Sequence, residues 1–222
     1  MLRLAADLHI HTVLSPCAAP DMLPVLIAAE AARKGIDMIA VCDHNSADNV
    51  SAVTEAAAAI AKGPVVIAGI EITTREEVHV LAYFATPEDA CLAAKVICAV
   101  PQPLQAIAAS ACSLGETVDL IHRYGGIAIA AHVDRQSFGV VSQLGFLPPE
   151  VPFDGLEITA AGVNAGRAPE FFKYGITLTS CSDSHTLADM GTSITALEVL
   201  APSHAELHRA LHGQDGRRCL IA

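Results

Sequence analysis

Residues 4–42 read LAADLHIHTVLSPCAAPDMLPVLIAAEAARKGIDMIAVC. The stretch opens on an alternating run at 4–10 that suits a strand. From Asp21, a candidate helix cap, an apolar periodic stretch runs to Lys34 and is stopped by Gly35, and a short apolar strand follows at 37–42. The unit then recurs. An Ala-rich helix is expected over 49–62, and two strands over 64–73 and 77–84 around a short turn. Thr86-Pro87 opens a helix with proline in its first position. Ser113-x-x-Glu116 is a capping box for a helix that ends at Gly125-Gly126. Strands follow at 127–131, 156–159 and 176–181, with a short helix around 169–173 between the last two. A final strand at 194–200 leads to a helix capped by Ser203. Strands that are apolar throughout and alternate with helices imply a parallel sheet covered on both faces, hence an α/β fold. Seven or eight strands in a single domain over 1–222 suit a closed or distorted barrel better than an open sheet. The segment 101–113 is the least readable.

Composition narrows the function. Of 222 residues, 52% are apolar, which excludes a disordered chain. Lys and Arg number 13 against 24 Asp and Glu, a formal net charge of −11. No basic run exceeds two residues, so general nucleic-acid binding and docking on anionic membranes are disfavoured. The mean hydropathy of +0.44 raises the question of a membrane span. The longest uncharged stretch, 96–115, contains Pro101 and Pro103 and does not suit a spanning helix. Asp7 lies within the first strand, so no signal-peptide core is expected. Seven cysteines without a C-x-x-C pair fit a reducing, cytoplasmic setting. Histidine is the exception: there are ten, against nine aromatics and no Trp.

The histidines are placed unevenly. Asp7, His9 and His11 recur at every second residue of the first strand and so are expected on one face. His44 follows the second strand, Glu71 is near the end of the third and His79 is in the fourth. His132 ends the next strand, Glu157 lies on the one after, and Asp183 and His185 follow 176–181. In an α/β barrel the carboxyl ends of the strands converge on one mouth. Six histidines and several carboxylates would therefore meet in one cavity, where unpaired polar groups are costly. A single His on a strand is usually a hydrogen-bonded core residue; the repetition at successive strand ends points to a metal cluster instead. His204, His208 and His212 recur every fourth residue on the last helix and are read as a solvated face, and His122 as a complement to its helix dipole.

Imidazole with carboxylate favours Zn, Mn or Fe in a catalytic site over structural zinc. The donors exceed the needs of one ion, so two or three divalent transition-metal ions are implied, with Glu71 suited to bridge a pair. Such a pair activates water and clamps attacking and leaving oxygens, which suits hydrolysis of phosphate esters or, less often, amides. No Gly-rich phosphate loop and no Gly-x-Ser-x-Gly elbow competes.

Six segments carry a family resemblance: Asp-Leu-His-Ile-His-Thr at 7–12, Cys-Asp-His-Asn at 42–45, Gly-Ile-Glu-Ile-Thr at 69–73, Glu-Val-His-Val-Leu at 77–81, Ala-His-Val-Asp-Arg at 131–135 and Ser-Asp-Ser-His at 182–185. Together they resemble the PHP (polymerase and histidinol phosphatase) family of metal-dependent phosphoesterases. The resemblance implies a distorted (β/α)7 TIM-like barrel with metals at its mouth. It implies one metal held by His9, His11, Glu71 and Asp183, and a second that shares Glu71 and adds His79 and His132. A third site in the family would use His44 and His185, and Cys17 stands where a further ligand is usual; otherwise His44 and His185 are substrate or acid/base groups. Around this set, Asp183, His185 and Asp43 are the catalytic candidates, with Asp43 either assisting proton transfer or fixing His44. Arg135 and Arg167, with Asn164 beside them, are candidates to grip phosphate, and Asp7 to orient an imidazole from behind. The expected substrate is a small phosphorylated metabolite or nucleotide. The alternatives are a 3′–5′ exonuclease-like phosphodiesterase, a non-catalytic metal-loaded module, and an amidohydrolase; the last commonly uses a carbamylated Lys, and no Lys falls at a strand end.

Overall fold

The computed structural model describes residues 1–99 and 108–221. The expectation for 101–113 therefore lies partly outside the described residues. Nine strands form one sheet: β1 (Leu2–Ile10), β2 (Met38–Val41), β3 (Val65–Thr73), β4 (His79–Phe84), β5 (Ile127–Ala130), β6 (Gly155–Glu157), β7 (Leu178–Thr179), β8 (Thr195–Val199) and β9 (Arg218–Ile221). The helices are α1 (Pro24–Lys34), α2 (Val50–Ala58), α3 (Pro87–Ile97), α4 (Leu114–Arg123), α5 (Val140–Leu144), α6 (Ala160–Asn164), α7 (Pro169–Phe172) and α8 (His204–Leu211). The strand order is β7-β6-β5-β4-β3-β2-β1-β8-β9, and β7 returns beside β9, so the sheet curls into a nearly closed α/β barrel.

The sheet is mixed rather than wholly parallel. β4 runs antiparallel to both β3 and β5, and β8 runs antiparallel to both β1 and β9. The reversal of β4 follows from the length of its connection. Five residues separate Thr73 from His79, far fewer than the dozen or so that a parallel crossover requires. Thr74 closes this hairpin, its amide donating to the Val78 carbonyl and its hydroxyl accepting from the Val78 amide. As a result the amino end of β4, where His79 sits, shares the mouth with the carboxyl ends of the parallel strands.

Two layers of core flank the sheet. Leu8, Ala40, Ile67, Leu81, Ile129 and Leu197 fill the barrel, while Ile39, Val41, Ile70, Val80 and Ala128 pack outward beneath the helices. Helix α8 plugs the far end, with Leu207, Ala210 and Leu211 buried in the interior cluster. Capping follows the sequence at three helices: Thr86, Ser113 and Ser203 accept from the amides of Asp89, Glu116 and Glu206. Helix α1 differs. It begins at Pro24 with Leu23 as its cap residue and no side-chain cap, so Asp21 does not serve. Among the described residues no helix is long and apolar enough to cross a membrane.

One irregularity in β1 shapes the site. Asp7 pairs with Ile39, but Ile10 pairs with Val41, so β1 carries one extra residue as a bulge. The slip changes which face each side chain takes: Leu8 joins the interior cluster and Ile10 the outer one.

Candidate metal centre

The bulge separates Asp7 from the histidines. Its buried carboxylate accepts from the Ser182 amide (3.0 Å), the Ser182 hydroxyl (2.7 Å) and the Gly191 amide (2.7 Å). The expectation that Asp7 orients an imidazole is thereby corrected: it anchors the loop that carries Asp183. Burial outweighs these hydrogen bonds and pushes Asp7 up to about 6.

Glu157 takes the place expected of Asp7. Both of its carboxylate oxygens lie 3.1 Å from His9 Nδ1, and Oε2 also accepts from the His132 amide at 3.0 Å. Strand periodicity places Glu157 on a strand but gives it no partner. Ser15 is a second residue it misses. The Ser15 hydroxyl donates to Asp43 Oδ1 at 2.7 Å and lies 3.0 Å from His11 Nδ1.

These two contacts fix the tautomers. A carboxylate accepts, so His9 Nδ1 carries the proton. The Ser15 proton is committed to Asp43, so the hydroxyl accepts from His11 Nδ1. The remaining nitrogens, His9 Nε2 and His11 Nε2, then present lone pairs to each other at 3.2 Å. They also face carboxylate oxygens. His9 Nε2 is 3.5 Å from Glu71 Oε1 and 3.4 Å from Asp183 Oδ1. His11 Nε2 is 3.4 Å from Glu71 Oε2 and 3.3 Å from Asp183 Oδ1. Four acceptor groups in this arrangement repel unless a cation lies among them. Their spacings match donor–donor edges around an ion with bonds of about 2.0–2.2 Å.

On its other side Glu71 meets three more imidazoles. His79 Nδ1 is 2.7 Å and His132 Nε2 3.2 Å from Oε1, and His44 Nδ1 is 3.0 Å from Oε2. Glu71 Oε2 is buried without a regular hydrogen bond, an orphaned acceptor of the kind a cation satisfies. The donor set thus fits transition-metal ions on observations internal to this chain. Two of these residues sit in the left-handed backbone region, His132 at φ 28° and Asp183 at φ 49°, local strain of the sort that clusters at functional sites. Phe138, also missed from sequence, stacks on His79 with ring centroids 4.4 Å apart.

Beyond Glu71, His11, His44 and His185 offer ring nitrogens within 4.8 Å of one another. The His185 ring stacks on His11 at 4.3 Å, and its Nδ1 donates to the Asp183 carbonyl. The exposed Cys17 thiol is pushed down to about 6, because hydrogen bonds to His185 and His44 outweigh its desolvation.

In the metal-free protein, protons stand in for the cation. Burial opposes charge on His9, but Glu157, Asp183 and Glu71 outweigh it and raise His9 well above the usual imidazole range. Burial likewise opposes charge on His44, and Cys17 and Glu71 raise it to about 10. His11, held down chiefly by burial, falls to about 3. An ion entering the cluster at neutral pH must therefore displace protons, and affinity must rise with pH. Metal-free protein in weak buffer at pH 7 is expected to release protons on titration with Zn²⁺, followed with an indicator dye; uptake without release would contradict the arrangement.

The remaining candidates fall into two groups. Asp43 is sealed from the cavity, accepting from the Thr12 amide (2.7 Å), the Thr12 hydroxyl (2.6 Å) and the Ser15 hydroxyl. With its lone pairs committed and 1% exposure, it neither faces the mouth nor bonds the His44 ring, which corrects its expected part in proton transfer. Arg135 does reach the mouth, where its Nη1 donates to Asp183 Oδ2 at 3.0 Å. Arg135 and Asp183 form a wall shared by two cavities. One, of about 330 Å³, holds Cys17, His44, Glu71, His79 and His185; the other, of about 590 Å³, includes Thr159, Ala160, Ala161 and Arg167. Arg167 is already engaged, forking onto Glu170 at 3.0 and 3.2 Å and donating to the Asp134 carbonyl. Asn164 lines a separate depression beside Gly191 and Thr192.

No family model matches this sequence, and no curated protein matches it. Solved structures do match. The lesion-specific endonuclease PfuEndoQ from Pyrococcus furiosus superposes with a TM-score of 0.83 at 18% identity, over 98% of this chain and 58% of that one. A two-domain protein from Bacteroides vulgatus, described as containing a PHP-like metal-dependent phosphoesterase, gives 0.66 at 18% identity, over 98% of this chain and 64% of that one. An amidohydrolase from Chromobacterium violaceum, solved with sulfate and no metal, gives 0.64 at 19% identity, over 97% of both chains. This chain thus spans well under two thirds of the endonuclease it resembles. The motifs and the three-dimensional likeness agree, and the fold of this chain is that of the PHP-like metal-dependent phosphoesterases.

Proposed function

We propose that the barrel mouth is the active site of a metal-dependent phosphoesterase acting on a small phosphorylated metabolite or nucleotide. The observation that carries this reading is the placing of His9 Nε2 and His11 Nε2 at 3.3–3.5 Å from both Glu71 and Asp183. In it, His9, His11, Glu71 and Asp183 hold one ion, and Glu71, His79 and His132 a second. His44 and His185, with Cys17 beside them, flank a third position. When bound, Zn, Mn or Fe would supply Lewis-acid stabilisation and a water of lowered pKa. The chain's own residues do the rest. Glu157 and Ser15 hold His9 and His11 in the tautomers that leave Nε2 free. Asp7 and Asp43 brace the loops behind them. Arg135 is half-exposed at the wall between the cavities, placed to exchange Asp183 for a phosphate oxygen. The larger cavity, with its alanine lining, takes the leaving group; about 590 Å³ suits a small molecule.

A second reading, a nuclease, is favoured by the likeness to the endonuclease. The net charge of −11 weighs toward a small substrate. A phosphate-release screen over phosphomonoesters, nucleotides and short DNA separates the two. Small esters should turn over, and the activity should vanish in His11→Ala and Asp183→Ala. Full activity in those variants would refute the assignment, and turnover of DNA alone would select the nuclease. Arg135→Ala is expected to raise KM about tenfold or more, the loss of one charge-assisted hydrogen bond of about 1.5–3 kcal/mol, with a smaller change in kcat.

A further inference from the structure

The far end of the barrel carries a separate group of metal-binding side chains. Because α8 buries Leu207, Ala210 and Leu211 in the barrel, its opposite face carries His208 and, at its end, His212, one turn apart. Their rings lie 4.5 Å apart. Asp154, just before β6, points at them, its carboxylate fixed by the Ala128 amide at 2.8 Å. His212 Nε2 is 2.9 Å from Asp154 Oδ1, and His122 Nε2, from the last turn of α4, is 2.9 Å from Oδ2. One ligand atom each from Asp154, His208 and His212 lie within 4.8 Å of one another. All four side chains line one open cavity of about 460 Å³. The readings of a solvated histidine face and of His122 as a dipole complement are thus incomplete, since three imidazoles gather on one carboxylate.

We propose that Asp154, His208 and His212, with His122 adjoining, form a second, exchangeable transition-metal site at the plugged end, independent of the mouth. Two imidazoles on consecutive helical turns are a preorganised chelate. Imidazole with one carboxylate and no thiolate selects borderline ions such as Zn²⁺, Ni²⁺ or Cu²⁺ over Mg²⁺ or Ca²⁺. The carboxylate is 10% exposed and the His212 side chain 38%, so the site is open to a hydrated ion while its anion is largely shielded. An ion there ties the plug helix to the end of α4 and to the entrance of β6. Binding to the folded state alone raises its stability by linkage.

The test compares the intact protein with His208→Gln/His212→Gln, whose glutamine at 212 retains a donor for Asp154. Equilibrium dialysis against Ni²⁺ or Zn²⁺ should show one ion fewer per chain in the variant. The metal-induced rise in Tm should shrink, and phosphoester turnover should be unchanged. In Glu71→Gln protein the far-end ion should persist, which separates this site from the mouth. The single variant His208→Gln, which leaves the Asp154–His212 contact intact, should lower Ni²⁺ affinity at least tenfold. Equal ion counts in the intact and doubly substituted proteins, or unchanged affinity in His208→Gln, would overturn the proposal.

Discussion

Replacing Glu71 by glutamine is expected to strip the barrel mouth of its ions. Turnover should fall by more than about 100-fold, beyond the 10–100-fold that loss of a supporting partner costs. Among the described residues, Glu71 is the one side chain that faces His9, His11, His44, His79 and His132 together. Glutamine has nearly the same shape but offers one acceptor oxygen and places an amide N–H₂ toward one set of imidazoles. No bridging charge then remains to offset the cations. The readout is metal content together with turnover, with circular dichroism as the check on folding. A folded Glu71→Gln protein that keeps both its ions and its activity would remove Glu71 from the centre of the site.

Glu157→Gln is expected to weaken metal binding by about 10–100-fold without touching any proposed ligand. Glu157 accepts twice, from His9 Nδ1 and from the His132 amide. Glutamine keeps one acceptor oxygen, replaces the other with a donating N–H₂ and removes the negative charge behind His9. With its oxygen where Oε2 stands it can still accept from both the His132 amide and His9 Nδ1, but its N–H₂ then faces His9 Nδ1 where Oε1 lay at 3.1 Å; the reverse orientation leaves the buried His132 N–H unpaired, at a cost of about 1–3 kcal/mol. If the amide nitrogen takes the His9 side, the His9 tautomer inverts and Nε2 gains a proton where it should hold a lone pair. Competition with a chromophoric chelator measures the change. Affinity equal to that of the intact protein would mean that Glu157 does not set the His9 tautomer.

The limits of sequence reading lie in specific places. The recurrence of His and acidic residues at strand ends was legible because side-chain period and barrel geometry both place those ends at one mouth. His44, His79, His132 and Asp183 do converge there with His9 and His11. A uniform parallel sheet was expected, yet the short turn between Thr73 and His79 already forbade it, since so brief a connection can only reverse the chain. The role given to Asp7 failed for a subtler reason. Alternation places every second residue on one face only while the pairing register holds, and the bulge between Asp7 and Ile10 breaks it. A bulge in an apolar strand leaves no local mark when no glycine accompanies it. Glu157 and Ser15 were out of reach for another reason: their partners are set by the closure of the barrel and by a loop conformation, and spacing encodes neither. Asp43 was misjudged because adjacency to His44 suggested contact, whereas consecutive residues at a strand end point apart.

The central claim is that the mouth holds transition-metal ions. Its most direct measurement is element-specific mass spectrometry of protein purified without air or added metal, in the His208→Gln/His212→Gln background so that the far-end site does not contribute. The arrangement of His9, His11, Glu71, Asp183, His79 and His132 predicts at least two transition-metal ions per chain, lost when Glu71→Gln is added. A folded protein that carries no transition metal, and takes none up when Zn, Mn and Fe are offered, would contradict it.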